Sequence, residues 1–240
     1  MTDREKRRHA RAVTKRAKKP GGRALKSRVR TARDRTQSSQ RWLERQLNDP
    51  YVAAAKRAGY RSRGAFKLAE IDDKFHLLRT GARVLDLGAA PGGWTQVAVE
   101  RGAKVVSVDI NPMAAVAGAV VQTLDARDRE TVNRVREAMG GPADVVLSDM
   151  AAPATGHRQT DHLRVMSLCE MALDVALEIL APGGAFLAKV LRGGTEAALL
   201  IKLKRHFRTV RHVKPPSSRA DSAEMYVLAT GFVGPAPPPG

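Results

Sequence analysis

The run Arg83-Val-Leu-Asp-Leu-Gly-Ala-Ala-Pro-Gly-Gly-Trp94 joins an apolar strand to a glycine-rich turn and a helix start. Asp86 interrupts it with a carboxylate that a core strand would not otherwise carry. A strand, tight turn and helix N-terminus together bring backbone amides to one point, where a nucleotide-like ligand can meet them. A dinucleotide site asks for G-x-G-x-x-G, its second glycine letting the backbone approach a pyrophosphate. Here the run is Gly88-Ala-Ala-Pro-Gly-Gly93, and Ala90 stands where that glycine should be. A dehydrogenase is therefore disfavoured, and a ligand without pyrophosphate fits better.

Two more acids sharpen the ligand. Asp109 ends Val-Val-Ser-Val-Asp, 21 positions after Gly88, where an acid can accept hydrogen bonds from ribose hydroxyls. Asp125 ends Gln-Thr-Leu-Asp, within reach of an adenine amino group. Either alone could be a solvated loop acid; three acids at three successive strand ends argue for one ligand. S-adenosylmethionine fits, because its sulfonium and ammonium favour nearby carboxylates such as Asp86.

These residues need a scaffold. Apolar runs at 83–87, 104–109, 120–124, 143–148, 185–190, 208–213 and 225–230 read as strands. Amphipathic stretches near 41–57, 63–73, 93–101, 128–138, 161–180 and 194–205 read as helices. Such alternation predicts an α/β domain with a seven-stranded, mostly parallel sheet and helices on both faces. Ligands then bind beyond the carboxyl ends of the strands. Asp149 and Lys189 stand at two of those ends.

The chain has 240 residues and a formal net charge of +18, which favours a polyanionic partner. Residues 1–40 hold 15 Lys/Arg against Asp3, Glu5 and Asp34, a net of +12, so the other 200 carry 18 − 12 = +6. The domains expected are a disordered basic arm over 1–37, a catalytic domain over 38–232 and a flexible tail over 233–240. The arm, almost without large apolar residues, reads either as a solubilising charge run or as a tether to RNA phosphates. Cys169, the one cysteine, excludes an internal disulfide and reads as a buried thiol. The six histidines show no ligand spacing, so no metal is expected. With no run of roughly 18 apolar residues and no secretory h-region, we expect a cytoplasmic monomer without membrane contact.

Several separated motifs occur in a telling order: Ser38-Ser-Gln-Arg-Trp-Leu43, Tyr60-Arg-Ser-Arg-Gly-Ala-Phe-Lys-Leu68, Asp86 to Trp94, Ser148-Asp-Met150, Lys189-Val190, Ser217-Ser-Arg219 and Glu224-Met-Tyr226. Over residues 38–232 the chain resembles the FtsJ family of Rossmann-like class I methyltransferases, which methylate ribosomal RNA at the ribose 2'-oxygen. The resemblance implies an S-adenosylmethionine-dependent enzyme acting on a uridine of large-subunit (23S) ribosomal RNA, in assembled or assembling subunits. It implies donor contacts from Asp86, Gly88, Ala89, Pro91, Gly92, Gly93, Trp94, Asp109, Ile110, Asp125, Ala126 and Asp149. It also implies a catalytic tetrad of Lys67, Asp149, Lys189 and Glu224.

The chemistry explains such a set. A 2'-hydroxyl is a poor nucleophile near neutral pH and must lose its proton while attacking the methyl group in line. A lysine serves as base only with a lowered pKa. For Lys189 the sulfonium and Lys67 lower it while Asp149 and Glu224 raise it, a balance the sequence leaves open. Lys189 is read as the base or an oxygen-orienting group, with Lys67 and Asp149 polarising and Glu224 in support.

RNA contacts are expected from Arg41, Arg61, Arg63, Arg192, Lys214 and Arg219, which surround the site in sequence. One departure from the family stands after Asp149. The chain reads Ser148-Asp-Met-Ala-Ala-Pro-Ala-Thr-Gly156, with Pro153 displaced by one and the family's asparagine absent. Two alternatives remain: a 2'-O-methyltransferase of tRNA, and a non-catalytic RNA-binding assembly factor, against which the intact tetrad argues.

Overall fold

A computed structural model describes residues 48–153, 155–193 and 197–234. The expected arm over 1–37, Arg41, the first part of the 41–57 helix and the tail from 235 lie outside them.

Seven strands form one sheet: β1 (Arg83–Leu87), β2 (Lys104–Asp109), β3 (Ala119–Thr123), β4 (Ala143–Ser148), β5 (Leu180–Leu191), β6 (Phe207–Val213) and β7 (Glu224–Phe232), in the order β3-β2-β1-β4-β5-β7-β6. The first five are parallel, and β7 runs antiparallel to both β5 and β6. Helices α1 (Pro50–Ala58), α2 (Gly64–Phe75) and α3 (Gly93–Glu100) cover one face, and α4 (Arg129–Met139), α5 (Arg158–Ile179) and α6 (Ala197–His206) the other.

Because successive side chains in a strand point to opposite faces, each central strand feeds two cores. In β1, Val84 enters the core beneath α2 and α3, while Leu85 and Leu87 enter the core beneath α4 and α5. In β4, Val145 and Leu147 go to the first core and Val146 to the second. Each fully buried Leu or Phe in these layers contributes about 1.5–3 kcal/mol.

The largest differences from the expected boundaries are two. The α1 helix begins at Pro50 because Asp49 caps it, accepting from Tyr51 N at 3.0 Å, and proline is tolerated at the first helical position. The β5 strand begins at Leu180 rather than 185. Ala143 pairs with Leu180 and Val145 with Ala185, so Ala181-Pro-Gly-Gly184 is an irregularity inside the ladder, not a break before it. Among the described residues, no helix is long and apolar enough to cross a membrane.

Candidate active site

The turn after β1 is shaped by contacts that only glycine permits. Gly88 takes φ +72, and its amide and that of Ala89 both donate to Val108 O, at 2.9 and 3.2 Å. A Cβ on Gly88 would meet Met150 Cγ at 2.5 Å. The chain leaving β4 therefore passes directly over the turn leaving β1.

Beside this crossing lies a cleft of about 430 Å³, within the range of small-molecule sites. Gly88, Asp109, Ile110, Asp125, Ala126 and Asp149 line it, together with Val108, Leu124, Leu168 and Met171. Asp109 accepts from Ala90 N at 2.9 Å and Asn111 N at 2.7 Å, which ties the first turn to the second. Asp125 is paired with Arg127 at 2.6 Å, and that partner holds its carboxyl below the usual range. The donor set suits S-adenosylmethionine: apolar walls for adenine, and carboxylates for ribose and cationic groups.

The other expected donor residues stand behind the cleft. Asp86 is fully buried; its Oδ2 accepts from Thr95 Oγ1 at 2.7 Å, and its Oδ1 has no hydrogen-bond partner among the described residues. Burial pushes its pKa up to about 7, against the lowering effect of Thr95. Ala89, Gly92 and Gly93 are buried, and Pro91 is exposed outside the lining. Trp94 turns away from the cleft: its Nε1 donates to Gly64 O at 2.9 Å and its ring lies 5.5 Å from that of Tyr226. It joins the turn to α2 and β7 by packing, because one residue into α3 the side chain already faces the core.

The four residues of the expected tetrad meet at the strand ends as two ion pairs. Lys189 Nζ lies 2.7 Å from Asp149 Oδ1 and donates to Asp149 O at 2.9 Å. Lys67 Nζ lies 2.7 Å from Glu224 Oε1 and 2.8 Å from Oε2. Strand parity brings them together. Residues 145, 147 and 149 share a face, as do 187 and 189, and 224, 226 and 228. It is the face under α2, whose Lys67 reaches down from above. The reversed direction of β7 puts its first residue, Glu224, level with the last of β5, Leu191. Burial works to raise the Glu224 carboxyl, but Lys67, Lys189 and Ser218 outweigh it and hold it below its ordinary value.

Tyr226 was not anticipated. Its hydroxyl donates to Asp149 Oδ1 at 2.9 Å from a fully buried ring. Burial, Asp149 and Glu224 push this phenol well above its ordinary value, so it is a fixed donor. The signal was present, since two residues beyond Glu224 in a strand is the same face. Ser218, which donates to Glu224 Oε1 at 2.9 Å, and the cleft residue Met150 lie inside motifs noted above but were given no role, and Leu168 and Met171 carried no comparable signal.

The residues expected to touch RNA are largely engaged with the protein. Arg61 donates to Ala114 O and Ala115 O, both at 2.6 Å, and to Pro91 O at 3.2 Å. Arg63 and Arg219 both bind Asp49. Lys214 Nζ donates to Ser222 O at 2.6 Å. Arg192 is exposed. After Asp149, the altered loop is held by Asp161, which accepts from Thr155 N and Thr155 Oγ1, each at 2.7 Å. Cys169 is buried, its pKa raised to about 12. Among the described residues, no group of three or more His, Cys, Asp or Glu side chains could hold a metal ion.

The chain is similar to several known proteins. The chain is 63% identical over 227 residues to the ribosomal RNA large subunit methyltransferase E of Parvibaculum lavamentivorans, covering 89% of each chain. It is 58% identical to the protein of that name from Paramagnetospirillum magneticum, covering 89% of this chain and 91% of that one. A solved structure described as a ribosomal RNA methyltransferase of Plasmodium falciparum superposes with a TM-score of 0.66 at 28% identity, covering 73% of this chain and all of that one. Residues 60–232, holding both the cleft and the tetrad, match FtsJ-like methyltransferases; the chain belongs to the FtsJ-like methyltransferase family.

Proposed function

We propose that the chain methylates the ribose 2'-oxygen of a uridine in large-subunit (23S) ribosomal RNA, taking the methyl group from S-adenosylmethionine. The observation that carries this reading is the pair of ammonium–carboxylate contacts, Lys189–Asp149 and Lys67–Glu224, the first of which shares Asp149 with the lining of the cleft. The large-subunit substrate is supported by the names of the relatives at 58–63% identity.

The bound donor supplies an electrophilic methyl group. The chain supplies alignment and charge. Asp149 lines the cleft and also holds Lys189, so a hydroxyl beside Lys189 Nζ faces the donor. Fixing the two reactants in line removes much of the barrier. Methyl transfer to the 2'-oxygen would break the donor's methyl–sulfur bond, the electron pair staying on sulfur, and would release the hydroxyl proton, which Lys189 either takes as the neutral amine or offsets with its charge on the oxygen that loses it. Tyr226 holds Asp149 in place from below. Lys67 adds positive charge near the oxygen, and Glu224 orients Lys67.

The tetrad is complete within one chain, which supports action as a monomer, and the ribosomal substrate supports a cytoplasmic setting. The basic arm, with its net +12 over residues 1–40, supplies sequence-independent affinity for rRNA phosphates. Removing residues 1–37 is expected to weaken RNA binding and flatten its salt dependence.

Deleting the gene and mapping 2'-O-methylation across rRNA and tRNA tests the whole reading. One lost 23S mark is expected, restored by the wild-type gene. No lost rRNA mark would reject it, and a lost tRNA mark would favour the tRNA enzyme.

A further inference from the structure

Asp49 lies outside the tetrad, yet its side chain is only 4% exposed. Capping α1 requires just one acceptor, which Asn or Ser would also provide. Asp49 does more. Its Oδ2 accepts from Arg63 Nη1 and from Arg219 Nε and Nη2, the last two at 3.0 and 2.8 Å. These arginines come from distant places. Arg63 immediately precedes α2, which carries Lys67. Arg219 lies in the 214–223 connection, which leads into Glu224.

That connection is held at several points. Arg63 Nη2 donates to Ser217 O at 2.7 Å, and Ser217 N donates to Glu70 Oε2 at 2.7 Å. The next residue, Ser218, donates to Glu224 Oε1. Two guanidinium groups gathered here repel each other, and burial with Arg219 nearby holds Arg63 below its ordinary value. A buried carboxylate between them offsets the repulsion and is itself neutralised.

We propose that Asp49 is a positioning residue for the acceptor half of the site: by gathering Arg63 and Arg219 it fixes the 214–223 connection, so that Ser218 holds Glu224 against Lys67. The inference rests on the methyltransferase reading above. It also gives Arg63 and Arg219 a first duty within the fold, ahead of any phosphate.

Asp49→Asn keeps a capping acceptor of the same size for Tyr51 N and removes both the charge and the second oxygen that accepts from Arg63 and Arg219. Hydrogen exchange, which needs no substrate, is expected to quicken at least about tenfold across 215–223 and to stay unchanged in β1, β2 and α3. Binding of S-adenosylhomocysteine is expected to stay within about twofold. Turnover on large subunits is expected to fall about 10- to 100-fold, chiefly in kcat. Ser218→Ala is expected to lower turnover too, and the double variant to be no worse than the poorer single one, because both break one chain of contacts. Unchanged exchange across 215–223, or multiplying effects of the two substitutions, would overturn the proposal. A wild-type protein inactive on large subunits would sink the functional reading instead, and the exchange comparison would still decide the latch.

Discussion

Lys189 is bound twice by one residue, donating to both the backbone carbonyl and the side chain of Asp149, at 2.9 and 2.7 Å. A lysine held at two points cannot wander among rotamers, so its Nζ is placed before any RNA arrives. Lys189→Ala is expected to lower kcat by about 10²–10⁴-fold, the usual weight of a positioned acid–base group. S-adenosylhomocysteine affinity, measured by calorimetry, should stay within a few-fold. Methyl transfer at the wild-type rate would remove Lys189 from the chemistry.

Gly88 and Met150 set a second expectation. An alanine at 88 would need φ near +72 and would bring Cβ within 3.0 Å of Met150 Cα, where backbone cannot yield cheaply. Gly88→Ala should cost about 1–3 kcal/mol in denaturant unfolding. Donor affinity should fall more than tenfold with it (an order-of-magnitude expectation for a displaced Met150). Both quantities unchanged would mean the two loops can separate freely.

Asp86 makes stability depend on pH. Its folded value is about 7, above the roughly 3.9 of an unfolded chain. Between those limits the fold keeps a proton that the unfolded chain has released. This group's contribution is therefore full below about pH 4, declines as pH rises and levels off above about 7, with a slope of at most about 1.4 kcal/mol per pH unit. Asp86→Asn lacks that decline. Without donor, its Tm relative to wild type should rise between pH 5 and 8. A constant difference would show that Asp86 does not titrate in this window.

Arg61 separates two roles. Its guanidinium bridges the turn after β1 and residues 114 and 115 beyond β2, two segments whose neighbours Ala90 and Asn111 line the cleft. Arg61→Ala should weaken S-adenosylhomocysteine binding about tenfold, as the loss of several charged-donor hydrogen bonds implies. The salt dependence of RNA binding should not change. A slope reduced by about one would instead mark a phosphate contact.

The scaffold was legible because both faces of the sheet are covered. Strands such as Val105-Val-Ser-Val108 and Val145-Val-Leu147 then read as apolar runs, and turn residues mark their ends. The gathering of Lys67, Asp149, Lys189 and Glu224 was foreshadowed only through ordered motifs, since Lys67 and Glu224 lie 157 residues apart. What could not be read was how each cation is used. A sequence shows that Arg219 is charged, but not that folding places it on Asp49, 170 residues away. The direction of the Trp94 ring was hidden for a related reason, because its place in the turn says nothing of where its side chain packs. The early start of β5 was hidden by Pro182-Gly-Gly184, which signals a break but sits in a bulge.

The reversed β7 strand divides labour along the chain. Every donor-cleft residue lies between 88 and 171, whereas Glu224, Tyr226 and the connection before them come from the last quarter. A reversed strand offers the site a residue that precedes it, so the segment from 214 to 223 acts on Glu224 and supplies nothing to the lining of the cleft. Changes on that side leave the lining of the cleft as it was.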